Sequence, residues 1–174
     1  MLTLKASDRG VSSPRRVVPK SRRGLRQPMS DVDSLNPLAR RVWTALIAAH
    51  PEWSELFGIC GKDDLEVAVS APAGSNAGHL VVFTAKGQDL WIRFSPPSMC
   101  YSVENEREML SVIQQLLAET ALFAVVMQGD EWAGTTLIRR GVPGDVPQLG
   151  SNEVAHVVSW SGRYDQTIKS DAQT

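Results

Sequence analysis

The segment from Gln88 to Arg140 constrains the fold more than any other part of the chain. It opens with the alternating run Leu90-Trp91-Ile92-Arg93-Phe94, whose period of two is that of a strand with one buried face. An acidic start at Glu104, Glu106 and Glu108 leads into Met109, Leu110, Ile113, Leu116 and Leu117, which fall on one stripe of a helix. A second apolar run, Leu122 to Met127, reaches a tight Gly129-Asp130 turn and returns as Glu131 to Arg139. Strand, helix and hairpin in this order predict half of a sheet with one helix packed across it.

The flanking segments extend that unit. Asn36-Pro37 marks a helix start, because Asn accepts a backbone N–H at the N-cap and Pro suits the first turn. Leu38, Val42, Ala45, Leu46 and Ala49 form its apolar stripe, and Pro51 places its end near His50. Trp53, Leu56 and Phe57 read as a compact apolar turn, after which Gly58 and Gly61 break the chain. Leu65, Val67 and Val69 alternate with Glu66, Ala68 and Ser70 as in a half-buried strand. His79 to Thr84 is nearly all apolar, which predicts a strand covered on both faces, and Lys86-Gly87 turns it back toward Leu90. Pro96-Pro97 ends the next strand, Ser102 is the expected N-cap of the second helix, and Val154 to Trp160 is the expected last strand. The order is helix, three strands, helix, three strands. It predicts a two-layer α+β domain, a mainly antiparallel sheet with both helices on one face.

Charge divides the chain. Residues 1–28 hold eight Lys or Arg against a single acid, Asp8, a charge of +7; the remainder holds ten basic and eighteen acidic side chains, −8, leaving the net −1. Residues 1–33 are rich in Ser, Arg, Gly and Pro without periodicity and are expected to be a disordered basic tail. Three readings of it compete: phosphate neutralisation on nucleic acid, an organellar transit peptide, or a solvated segment without a role in folding. Met29 stands immediately before the first organised segment, and the third reading expects translation to start there. Residues 34–165 form the expected single domain, and 166–174 the expected frayed end.

No run approaches the roughly 18 apolar residues of a membrane span, and the N-terminus lacks the apolar centre of a secretory signal. A cytoplasmic protein is therefore expected, with Cys60 and Cys100 as thiols. His50, His79 and His156 are far apart and lack ligand partners at metal-binding spacing, so neither metal nor cofactor is expected. Gly74 to Gly78 has neither the spacing nor the following helix of a phosphate loop. The acid pairs Asp63-Asp64 and Asp130-Glu131 read as solvated turn residues. Cys100 is the candidate nucleophile of an enzymatic reading, since thiolates are favoured near helix N-termini. Nearby acids oppose that, and a small half-buried Cys is the simpler reading.

Aromatic residues are more informative. Five tryptophans stand at positions 43, 53, 91, 132 and 160, and most are accounted for by a core. Trp91 is not: if Leu90, Ile92 and Phe94 face the helices, Trp91 and Arg93 face away. Val81 and Phe83 join them, while Arg163 and Tyr164, with Asp165, are the candidate rim. Such a face is either a partner or dimer contact or is covered by the terminal segment, with Tyr164 and Ile168 as its lid.

The run Leu90 to Phe94, the Glu-rich helix start, Glu131-Trp132-Ala133-Gly134 and the closing Ser159-Trp160-Ser161-Gly162-Arg163-Tyr164-Asp165 together resemble small bacterial domains of the kind that serve as immunity proteins of polymorphic toxin systems. The resemblance spans about Met29 to Asp165 and assigns no functional residue. It implies a non-enzymatic cytoplasmic binder that blocks a toxin by surface complementarity, and the −8 domain suits a basic toxin. The element order is also similar to that of secretion chaperones, which implies a homodimer binding a client protein.

Overall fold

A computed structural model describes residues 29–95, 100–142 and 144–170. The basic tail through residue 28, Pro96-Pro97 and the last four residues of the expected frayed end lie outside them. Two α-helices and nine strands are present among the described residues, the strands in two antiparallel sheets.

Helix α1 (Pro37–Ala49) starts where the sequence places it, with Asn36 Oδ1 accepting from Ala39 N at 2.9 Å. His50 closes it, and 3-10 turns at Met29–Ser34 and Pro51–Leu56 flank it. The first sheet runs in chain order through β1 (Phe57–Cys60), β2 (Asp64–Ser70), β3 (His79–Ala85), β4 (Asp89–Ser95) and β5 (Cys100–Val103). Helix α2 (Glu106–Leu117) follows, then β6 (Ala121–Gln128), β7 (Glu131–Arg139), β8 (Glu153–Val158) and β9 (Gln166–Lys169), ordered β7-β6-β8-β9.

The α+β class and antiparallel pairing are as expected; the single sheet of six strands is not. Three four-residue strands account for the extra pairing. At β1, the expected chain break pairs with β2 instead, because Gly58 lets the backbone approach: a Cβ there would stand 2.9 Å from Glu66 O. At β5, Ser102 is part of a strand, and the helix cap moves to Asn105, whose Oδ1 accepts from Glu108 N at 3.0 Å. At β9, the expected frayed end pairs with β8 from Gln166 to Lys169. The expectation for His79 to Thr84 also needs correction. Leu80, Val81, Val82 and Thr84 are buried, but His79 is exposed and Phe83 half-buried, so the face that His79, Val81 and Phe83 share is covered only in part.

The main core gathers Val42 and Leu46 of α1, Met109, Ile113 and Leu116 of α2, and the inward residues of the first sheet, with Phe123 entering from β6. Each fully buried aliphatic side chain here contributes about 1.5–3 kcal/mol. Phe123 meets Phe94 edge-on at 5.2 Å between centroids, which ties the two sheets together. A smaller cluster on the second sheet holds Leu122, Ala124, Ile138 and Val157 under Tyr164 and Ile168. The expected lid thus exists, but it covers the second sheet.

Polar residues lock the corners. Asp64, read from sequence as a solvated turn acid, accepts hydrogen bonds from Asn36 Nδ2, Thr84 Oγ1 and the amides of Lys86 and Gly87, at 2.9 to 3.2 Å. It joins the start of α1 to the β3–β4 hairpin, where Lys86 and Gly87 both have positive φ. Asp165 does the same between the sheets. Its Oδ1 accepts from Ser159 N and Oγ, and its Oδ2 from Asn76 Nδ2 in the β2–β3 loop, at 2.7 to 2.9 Å.

Candidate binding surface on the first sheet

Strand alternation and register define the surface. Leu90, Ile92 and Phe94 are buried in the main core, so Trp91 and Arg93 point to the opposite side, as the sequence predicts. Cross-strand pairing places Gly58, Glu66, Phe83, Trp91 and Ser102 in one row across all five strands. Ala68, Val81, Arg93 and Cys100 form the next row. None of these nine belongs to either apolar cluster.

The surface is apolar at its centre with one charge pair across it. Phe83, Trp91, Arg93 and Ala68 are half-buried, and Val81, flanked by Ala68 and Arg93, is 3% exposed. The Arg93 guanidinium lies over the Phe83 ring, its Cζ 5.3 Å from the centroid. Its Nη2 is 4.0 Å from Glu66 Oε2, a loose pair whose side chains are 25% and 42% exposed. Arg93 Nε is buried without a hydrogen-bond partner among the described residues. Such a group ordinarily costs about 1–3 kcal/mol, which a correctly placed acceptor would recover.

Arg163 and Tyr164, the expected rim, sit elsewhere. Tyr164 packs on the second-sheet cluster, where Arg140 donates to its hydroxyl, and both Arg140 and Arg163 lie over its ring. Asp165 is a structural acceptor, as above. Phe83, Trp91 and Arg93 are therefore brought together, while the Arg163-Tyr164 pair belongs to the fastening of the second sheet. Sequence reasoning missed Glu66, Ala68 and Cys100 as members of the face. Alternation showed that Glu66 and Ala68 point away from Val67, but only the register places them beside Phe83 and Val81.

Cys100 lies in the second row of this face, beside Arg93. Burial pushes its thiol above the ordinary value, and Arg93 offsets this only in part. No group of three or more His, Cys, Asp or Glu suited to a metal ion occurs among the described residues. Two open grooves flank the helix pair. One, of about 690 Å³, runs along Pro37, Arg41, Thr44 and Ala48 and is crossed by the Arg41–Glu106 ion pair at 2.7 Å. The other, of about 620 Å³, lies between His50 and Leu117. Neither lining includes a cysteine, and the carboxylate of Glu106 is held below its ordinary range by a backbone hydrogen bond and by Arg41. Among the described residues no helix is long and apolar enough to cross a membrane.

Compared with protein-family models, with curated proteins and with solved structures, the chain matches none of them.

Proposed function

We propose that this chain is a non-enzymatic protein-binding domain that engages its partner through the outer face of the first sheet. The observation that carries the reading is the uninterrupted row from Glu66 through Phe83 to Trp91, with Arg93 stacked beside it, outside both apolar clusters. A two-layer arrangement with both helices on the inner face accounts for one covered and one uncovered side. Trp and Arg at the centre of a flat apolar patch are the side chains that most often carry binding energy.

The partner we favour is a basic bacterial toxin, with the domain as its immunity protein. The −8 charge beyond residue 28 would speed and orient that association. Thiols at Cys60 and Cys100 suit a reducing cytoplasm. A client-binding chaperone is less favoured, because strands β8 and β9 stand where that architecture has a third helix.

The test is co-purification with the product of the neighbouring gene as an equimolar complex. Trp91→Ala and Arg93→Ala should each weaken that complex at least tenfold, a typical hot-spot loss of about 1.4 kcal/mol or more. An unchanged affinity in both variants would exclude this face.

A further inference from the structure

We propose that the same face pairs with a second copy of the chain, giving a two-fold dimer that a foreign partner must displace. The inference rests on reading the face as a binding surface, and it names an occupant that the purified protein itself supplies.

The face carries one loosely paired acid and base. Glu66 and Arg93 occupy β2 and β4, on either side of β3 and one row apart. Within one chain they reach each other only at 4.0 Å, and Arg93 Nε has no hydrogen-bond partner among the described residues. A surface carrying one positive and one negative group is complementary to itself under a two-fold axis, because each Arg can face the other copy's Glu.

Sheet geometry fixes where that axis lies. With strands roughly 4.8 Å apart and same-face residues roughly 6.7 Å apart along a strand, the Glu66–Arg93 diagonal crosses β3 between Val81 and Phe83. A two-fold axis in the plane of the interface, perpendicular to that diagonal at its midpoint, exchanges the two charged positions. The same operation carries Phe83 to within roughly 3 Å, in the plane of the sheet, of the position of Trp91, and Val81 equally close to that of Ala68. One axis chosen for the charges thus also stacks aromatic on aromatic and sets a branched aliphatic side chain over a small one. These four residues lie in the two rows that the register defines. Nothing in the charge argument required that second match.

The face is small. Five strands of up to seven residues present a face of roughly 400 Å² per copy, so the pair buries roughly 800–900 Å² in total. That lies below the standard size for stable complexes and places the pair among weak, transient ones. A weak dimer is also one that a tighter heterologous partner can open.

The experiment is sedimentation velocity on the full chain across a concentration series reaching about 100 μM, with charge-reversed variants. The unmodified chain should shift from monomer to dimer along the series. Arg93→Glu alone and Glu66→Arg alone should each weaken the dimer at least about tenfold, because like charges then oppose each other twice. Mixing the two single variants should restore a dimer. In the mixed pair the introduced acid faces the introduced base, and the native Glu66 of one copy faces the native Arg93 of the other. The double variant E66R/R93E should self-associate like the parent. Recovery on mixing shows that both single variants are folded. A chain that stays monomeric throughout, or a dimer indifferent to both reversals, overturns the proposal. The two readings fail separately. A monomer whose complex with the toxin still weakens with Trp91→Ala overturns the dimer and keeps the binding face; a dimer that obeys the reversals, beside a toxin complex that ignores them, does the opposite.

Discussion

The Asp64 carboxylate accepts a hydrogen bond from the Asn36 side chain at 2.9 Å, while Asn36 Oδ1 accepts from Ala39 N at the same distance. One residue thus caps a helix and is held in place by a strand residue 28 positions away. Thr84 adds a second link, its hydroxyl accepting from Leu65 N and donating to Asp64.

Asp64→Ala should therefore destabilise far more than a surface substitution. It leaves Thr84, which is 1% exposed, and two hairpin amides without their acceptor. A loss of about 2–4 kcal/mol is expected from urea unfolding, against about 1 kcal/mol for Asn36→Ser, which keeps a capping oxygen, loses the amide donor and adds no charge beside Asp64.

Asp165→Ala should loosen the junction between the sheets. Ser159 is 1% exposed and depends on Asp165 for both its amide and its hydroxyl. The Ser159 amide should exchange with deuterium at least about tenfold faster in the variant, while amides at the centre of β3 change less.

Glycines 58 and 134 should respond very differently to alanine. A Cβ at Gly58 would meet Glu66 O at 2.9 Å, so β1 must move or detach, at a cost of about 1–3 kcal/mol. At Gly134 nothing lies within 4 Å, and thermal melting should shift little. Equal shifts at the two positions would contradict the pairing of β1 with β2.

Cys100 gives a pH-dependent readout of the candidate surface. Burial raises its thiol pKa and Arg93 lowers it, so the reactive thiolate appears at higher pH than for an ordinary cysteine. Removing the cation removes the lowering influence. Arg93→Met, which removes the charge and keeps most of the bulk over the thiol, should therefore move the midpoint of the Cys100 alkylation profile further upward, measured by mass spectrometry after iodoacetamide pulses across pH. A downward move would place Arg93 away from the thiol.

The local periods settled much of this protein in advance. Period two put Leu90, Ile92 and Phe94 on one side and Trp91 and Arg93 on the other, because backbone geometry alone fixes that alternation. Asn36-Pro37 and Pro51 bracketed α1 for equally local reasons: a side-chain acceptor at the start and a residue that disfavours helix at the end. Four-residue strands carry too short a pattern to register, so β1, β5 and β9 escaped. Tertiary structure decided the rest. Whether Tyr164 and Ile168 would cover the first sheet or the second depended on where β9 pairs, and that pairing is a long-range event. Asp64 and Asp165 gave no sign in sequence of their roles, since an acid in a turn looks the same whether water or the protein's own donors surround it. Phe83, Trp91 and Arg93 were already assigned to one side; register made them a surface, by setting Glu66 beside Phe83 and Cys100 beside Arg93.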